Sequence, residues 1–312
     1  MLRKIPLVSA AALIALAAVI SAAIFLQRHD AASVIKPPEK VTVYLEDKGE
    51  IRTVEYIDFI TGCVYGMMSP DSETEALKCS ACAANTTALY HIANKTGFQN
   101  NGADFSDRQL PYITPEDAEE KYGAKYGIYL DKVNEAAESG MASVILYEGQ
   151  PICAACCQIS AGKTDNSADT AASPKPYLSS VSCSFDKEAN GYESTAAFTS
   201  DMVYKALRDI APQAVLSGHP EEWFTEPEYT KAGTLTGIMY GGVKLSGAEL
   251  RKSLGLRSAA VSIIYTEDRF TFTCKGLGDN LGMSLYGANC LARQGMKMTD
   301  ILLYFYKDCE VA

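Results

Sequence analysis

Basic charge is scarce in this chain of 312 residues: 28 Lys and Arg stand against 38 Asp and Glu, a formal net charge of −10. That balance excludes a general nucleic-acid binder, because neutralising phosphates needs a basic surface. Histidine is rarer still. His29, His91 and His219 are scattered and form no metal-binding cluster in the sequence. The glycine-rich stretch Gly276 to Gly282 lacks the Lys-Ser/Thr ending of a phosphate loop. Hydrophobic residues make up 47% and charged residues 21%, ordinary globular values that exclude a disordered chain, a collagen-like chain and a multi-span membrane protein.

One stretch has no charge at all. Ile5 to Leu26 is uncharged, with Arg3 and Lys4 before it and Arg28 after it. About 20 apolar residues span a bilayer, whereas the core of a cleaved signal has about 7–15. The run reads as a single uncleaved signal anchor with its N-terminus inside and the rest outside. A cleaved signal is the alternative, since Ser21-Ala22-Ala23 and Asp30-Ala31-Ala32 offer small residues to a peptidase. Under both readings the working part is extracytoplasmic. Residues 1–28 are then stub and anchor, residues 29–40 with Pro37-Pro38 a tether, and residues 41–312 one exported domain. The first 28 residues hold three basic groups and no acid, leaving 25 basic and 38 acidic residues outside. Such a surface is not drawn to anionic polymers or lipids.

Local patterns place the elements. Val41 to Leu45 alternates as a strand, and Ile51 to Tyr56 pairs with it through Asp47-Lys-Gly49. Ser72 with Glu75 fits a capping box for a helix from Glu75 to Ala93. Thr114-Pro115-Glu116-Asp117 starts another, and Tyr126 to Ser139 continues helically until Gly140 ends it. Ala142 to Tyr147 and Pro151 to Ile159 read as a strand pair, and Gly162 to Lys175 as surface loop. Further strands are predicted at Leu235 to Tyr240, Ala259 to Tyr265 and Phe270 to Lys275. Helices are predicted at Thr199 to Asp209, Ser246 to Leu254 and Gly282 to Gln294, with a last one capped by Thr299. Hairpins mixed with helices argue for an α+β fold.

Four segments carry a resemblance. They are Val64 to Lys78, Gln158 to Thr164 with Pro176-Tyr-Leu178, Leu245 to Ser258, and Gly276 to Ala288. In order and spacing they resemble the stage II sporulation protein D / LytB family, over about residues 41 to 310. Members are peptidoglycan lytic transglycosylases that cut glycan strands stripped of stem peptides, and in endospore formers they act in engulfment. The resemblance therefore implies peptidoglycan glycan strands as partner.

The reaction needs one acid that protonates the glycosidic oxygen, after which the sugar's C6 hydroxyl closes a 1,6-anhydro ring. The family's catalytic Glu stands eight residues before the Glu of Glu75-Ala-Leu-Lys78, and that position is Met67. A thioether cannot move a proton. Other family positions also differ: Asn85 replaces an Arg, Cys157 and Asp279 replace His, and Leu285 replaces a Gln. The resemblance implies a substrate groove at Asn85, Ser160, Gly162, Lys163, Thr164, Asp279, Asn280 and Leu285. This is the pattern of a relative that keeps the fold without the original reaction. Asp279 and Asp71 are the candidate substitute acids of an active enzyme. For Asp71 and its neighbour Glu73 the plainer reading is solvated acids at a helix N-terminus.

All ten cysteines lie in the exported part. Cys153, Cys156 and Cys157 are dense enough to raise zinc or a disulfide, for instance to Cys183. Residues three apart on a strand, however, point to opposite faces. Buried packing thiols are the preferred reading, and no cofactor is expected beyond that zinc candidate. Three functions follow: a glycan-binding relative without catalysis, an active enzyme with a moved acid, or a scaffold holding other wall hydrolases of a sporulation complex.

Overall fold

Among the described residues the first buried side chains are Val41, Val43 and Leu45, on the inner face of β1 (Lys40–Leu45). β2 (Glu50–Glu55) returns antiparallel through the Asp47–Gly49 turn, in register from Lys40↔Glu55 to Leu45↔Glu50. This computed structural model describes residues 36–96, 102–170 and 173–312. The segment read as an anchor lies outside the described residues, as does His29. Among the described residues no helix is long and apolar enough to cross a membrane.

Helices build the first lobe. The apolar run after β2 is a helix, α1 (Tyr56–Met67), which buries Phe59, Ile60, Cys63 and Val64. α2 (Thr74–Asn94) runs through the lobe centre, and its small residues let neighbours approach closely. The predicted capping box at its start does not form. The N-cap is Glu73 and makes no side-chain cap bond. The Ser72 carbonyl instead accepts from Lys132 Nζ at 2.6 Å, and Glu75 reaches across to Met298. β3 (Phe105–Ser106) pairs in parallel with β1. α3 (Pro115–Tyr122) opens as predicted, with Thr114 Oγ1 accepting the Asp117 N–H at 3.1 Å.

α4 (Tyr126–Met141) corrects one expectation: Gly140 does not end it. A Cβ there would come within 2.5 Å of Ala81 Cβ and 2.7 Å of the Lys78 carbonyl. The glycine serves close packing of α4 on α2. β4 (Ile145–Tyr147) and β5 (Gln150–Pro151) form a hairpin. The predicted strand from Pro151 breaks after this, because Ala155 N–H turns back to the Cys153 carbonyl. A separate strand follows, β6 (Cys156–Cys157). The stretch predicted as surface loop contains α5 (Ser167–Thr170), and Thr164, Asp165 and Ser167 are buried.

The second lobe is inserted in the first. It comprises β7 (Glu193–Thr199), α6 (Ser200–Leu207), β8 (Phe224–Tyr229), β9 (Leu235–Tyr240), β10 (Val243–Leu245), α7 (Gly247–Leu254), β11 (Val261–Thr266) and β12 (Arg269–Lys275). Two antiparallel sheets result, ordered β10-β9-β8 and β11-β12-β7. Their core holds Phe270, Phe272, Tyr240, Ile238 and Leu250, apart from the core of the first lobe. Burying each such side chain contributes roughly 1.5–3 kcal/mol.

The chain then re-enters the first lobe. β13 (Met283–Ser284) pairs in parallel with β6, and α8 (Leu285–Arg293) starts on the Ser284 side chain. α9 (Met298–Phe305) begins one residue before Thr299, without a side-chain cap of its own. β14 (Glu310–Val311) closes against β4. The fold is α+β.

Candidate groove between the lobes

A pocket of about 260 Å³ opens where the lobes meet. The C-terminal end of α1 supplies Met67, and the loop after it Met68, Ser69 and Ser72. Gln158 and Ile159 come from the segment after β6, Leu285, Tyr286 and Asn289 from α8, and Asn190, Arg257 and Leu277 from the lobe crossings. The floor is tied together by hydrogen bonds. Gln158 Nε2 donates to the Met67 carbonyl at 2.9 Å, and the Tyr286 N–H donates to the Gln158 carbonyl at 3.0 Å. Asn289 Oδ1 accepts the Glu73 N–H at 2.8 Å. Two positions singled out in the sequence, Met67 and Leu285, face one another's pocket, and Met67 is only 6% exposed. Among the described residues no carboxylate lines this pocket.

The two candidate substitute acids lie elsewhere. Asp279 is exposed and ion-paired with Arg251 of α7. Asp71 is exposed too, and its Oδ1 accepts from Tyr129 OH at 2.6 Å. Lys132 pins the same loop through the Pro70 and Ser72 carbonyls. Neither acid is part of the pocket lining.

Asn85 sits in the core of the first lobe, fully buried on α2. It accepts from Tyr56 OH at 2.9 Å and donates to the Ser143 carbonyl at 3.2 Å. Ser160, Thr164 and Asn280 are also buried; Ser160 and Thr164 bond within the first lobe, and Asn280 reaches Thr234 of the second. Asn280 Oδ1 accepts the Ala161 N–H, while its Nδ2 donates to Asp165 Oδ2 at 2.9 Å. Asp165 in turn receives Thr230 and Thr234 hydroxyls from the second lobe. Lys163 is exposed, and Gly162 borders Lys187.

Two buried acids, Asp165 and Asp186, escaped the sequence reading. Asp186 Oδ2 accepts the Ser160 N–H at 2.6 Å and Ser284 OH at 2.7 Å, but Oδ1 has no partner. Burial pushes its carboxyl above the usual aspartate range, against the lowering effect of those bonds. No local motif marks it; only the fold encloses it. Arg257 lay inside the Leu245 to Ser258 resemblance without being singled out.

The ten cysteines are free thiols. Burial pushes Cys156 up to about 12, and raises Cys79 and Cys157 well above the ordinary value. Cys156 also shares a 3.4 Å contact with Tyr306 OH. Among the described residues no group of three or more His, Cys, Asp or Glu side chains is placed to hold a metal ion. His91 contacts Thr96 Oγ1 and Gln109, and His219 is exposed.

The stage II sporulation protein family model matches residues 44–147, which include Met67 and all of α2. Stage II sporulation protein D of Bacillus amyloliquefaciens is 29% identical over 279 residues, covering 88% of this chain and 79% of that protein. The protein of the same name from Bacillus subtilis (strain 168) is 29% identical over 278 residues, with the same coverage. An uncharacterised protein of Brachyspira hyodysenteriae is 25% identical, covering 81% of this chain and 66% of its own. The two Bacillus matches run through both lobes and the groove between them, the family model covers part of the first lobe, and the chain is similar to stage II sporulation protein D over most of its length.

Proposed function

We propose that this protein binds peptidoglycan glycan strands in the groove between its lobes and does not cleave them by the reaction its family resemblance implies. The observation that carries this reading is Met67 in the wall of a pocket that no carboxylate lines. A glycosidic oxygen there finds amide, hydroxyl and guanidinium groups, which hold a sugar by hydrogen bonds. It finds no carboxylic acid to give it a proton. Asp279 and Asp71 are engaged outside the pocket by Arg251 and Tyr129. The setting is the extracytoplasmic face of a membrane, with the uncharged Ile5 to Leu26 segment as anchor, during sporulation and engulfment.

The test is to incubate the full-length protein with peptide-stripped glycan strands and examine the products by mass spectrometry. Strand binding without 1,6-anhydro ends is expected. Anhydro products that vanish in Asp279→Ala or Asp71→Ala would overturn the reading in favour of a moved acid. Failure to bind strands at all would leave the role of holding other wall hydrolases.

A further inference from the structure

The two lobes share no apolar core. Each has its own cluster of buried side chains, and no residue belongs to both. The chain crosses between them twice, and the crossings run side by side: the Gly276 N–H donates to the Tyr192 carbonyl at 2.7 Å. A glycine with φ of 79° stands in each crossing, Gly191 in the first and Gly276 in the second. The lobes therefore meet at one narrow neck, with polar contacts around it. Such an arrangement lets one lobe turn on the other unless something fastens them.

The fastening is at Asp165, a first-lobe carboxylate that is 1% exposed. Its Oδ1 accepts the Thr230 hydroxyl at 2.5 Å, and its Oδ2 accepts the Thr234 hydroxyl. Both hydroxyls come from the turn between β8 and β9 of the second lobe. The turn is preformed around Thr230, whose Oγ1 accepts the Ala232 and Thr234 N–H groups. Asn280 completes the tie from the first-lobe side, donating to Asp165 Oδ2 at 2.9 Å and to Thr234 Oγ1 at 3.2 Å. The other side-chain bonds between the lobes start at the crossings themselves, with Tyr192 OH on the Ala161 carbonyl and Asp279 paired to Arg251.

A cleft of about 540 Å³ lies along this seam. Ala161 and Lys187 bound it from the first lobe, and Tyr229, Ala232 and Gly233 from the second. Ala232 and Gly233 belong to the fastened turn. Ala161 is held by Asn280 Oδ1 through its N–H. The tie thus joins the two walls of the cleft.

We infer that Asp165 is an inter-lobe latch, a positioning residue that holds the β8–β9 turn on the first lobe and fixes the width of the cleft. With both hydroxyls in place the carboxylate is satisfied without water. When the turn lifts, water takes over the two oxygens and the second lobe pivots on the neck. The latch stands apart from the glycan reading. Its consequence for a strand, slow entry and slow release, rests on that reading.

The experiment uses the full-length protein with fluorophores on unnatural amino acids at Ile128 and Val215, exposed positions of the first and second lobe. Single-molecule energy transfer reads the distance between them. Thr230→Val/Thr234→Val removes both hydroxyls and keeps the side-chain shape, and Thr230→Ser/Thr234→Ser keeps the hydroxyls. Wild type and the Ser variant are expected to give one narrow distribution. The Val variant gains an open population about tenfold or more above the wild type, and its Ala161 and Asp165 amides exchange hydrogen faster while both cores keep their protection. Thr234→Val alone spares the turn's own bonds at Thr230 and carries the same expectation at smaller amplitude, should the double variant fail to fold. Peptide-stripped strands enter and leave the Val variant faster than the wild type. An unchanged distribution with unchanged exchange in the folded Val variant would overturn the latch, as would a Ser variant that opens equally. Opening as expected with no strand binding would keep the latch and remove the glycan reading.

Discussion

Glu75 caps a helix that is not its own. Its Oε2 accepts the backbone N–H of Met298 at 2.9 Å, 223 residues further along the chain. Oε1 holds Lys78 at 3.1 Å. One carboxylate on the first turn of α2 therefore satisfies an orphan donor at the start of α9 and ties the last helix to the lobe centre.

Removing that tie should loosen the C-terminal helices. Glu75→Ala is expected to cost about 1 kcal/mol, as for a lost cap, and to lower the melting temperature by roughly 2–4 °C. The effect should depend on pH. Burial works against ionisation of Glu75, but the Met298 N–H and Lys78 outweigh it and hold the carboxyl below its ordinary 4.5. A depressed carboxyl contributes stability above 4.5 that is lost as pH falls through the folded value. Thermal unfolding of wild type and variant should therefore converge below pH 4.5; parallel curves down to low pH would contradict the charge-assisted tie.

Asp186 has the opposite sign. Its buried carboxyl is raised, so its stabilising protonated form is lost as pH rises from the ordinary 3.8 through the folded value. At neutral pH an ionised Oδ1 is left buried without a partner. Asp186→Asn keeps an oxygen for the Ser160 and Ser284 donors and removes the charge. It is expected to melt a few degrees higher than wild type at pH 7, with the gain shrinking toward pH 4. A loss of stability at pH 7 would show that the carboxylate is needed in its ionised form.

What could be read from the sequence was local. The β1–β2 hairpin follows from alternation and a turn, and α3 from Thr114 with Pro115 behind it. The same Ser-x-x-Glu pattern occurs twice and behaves differently. Ser246 and Glu249 form a full capping box on α7, whereas α2 starts from Glu73 as N-cap and the Glu75 carboxylate is taken by Met298. Distant partners decide between the two, and a local window does not contain them. The groove follows the same rule. Met67 was singled out through its spacing from Glu75, and it lines the pocket between the lobes. Asp186 and the Asp165–Asn280–Thr234 network were not, because their partners come from segments that only the fold brings together.

Asn85 provides a test of core against groove. Its amide bridges Tyr56 OH and the Ser143 carbonyl in a place closed to solvent. Asn85→Ala leaves buried polar groups unpaired, which costs about 1–3 kcal/mol. Chemical denaturation should show that loss while glycan binding at the permissive temperature stays within twofold of wild type. A binding defect in the folded variant would bring Asn85 into the groove after all.

Met67 is the position at which one substitution should change the chemistry. Its side chain is 6% exposed, in a pocket whose only charged side chain among the described residues is Arg257. A carboxyl introduced there is taken out of water, which favours its protonated form, and a glycosidic bond needs that form of the acid. The backbone around it is held by Gln158 Nε2 on the Met67 carbonyl, a bond that does not involve the side chain. Met67→Glu is therefore expected to produce 1,6-anhydro ends from peptide-stripped strands at least tenfold above the wild-type background, and Met67→Gln to produce none. The activity should fall as pH rises and the new acid ionises. A folded, strand-binding Met67→Glu protein that yields no anhydro product would mean that the changes at Asp279 and Leu285 have moved the sugar away from position 67. The missing proton would then be only one of the losses that separate this groove from catalysis.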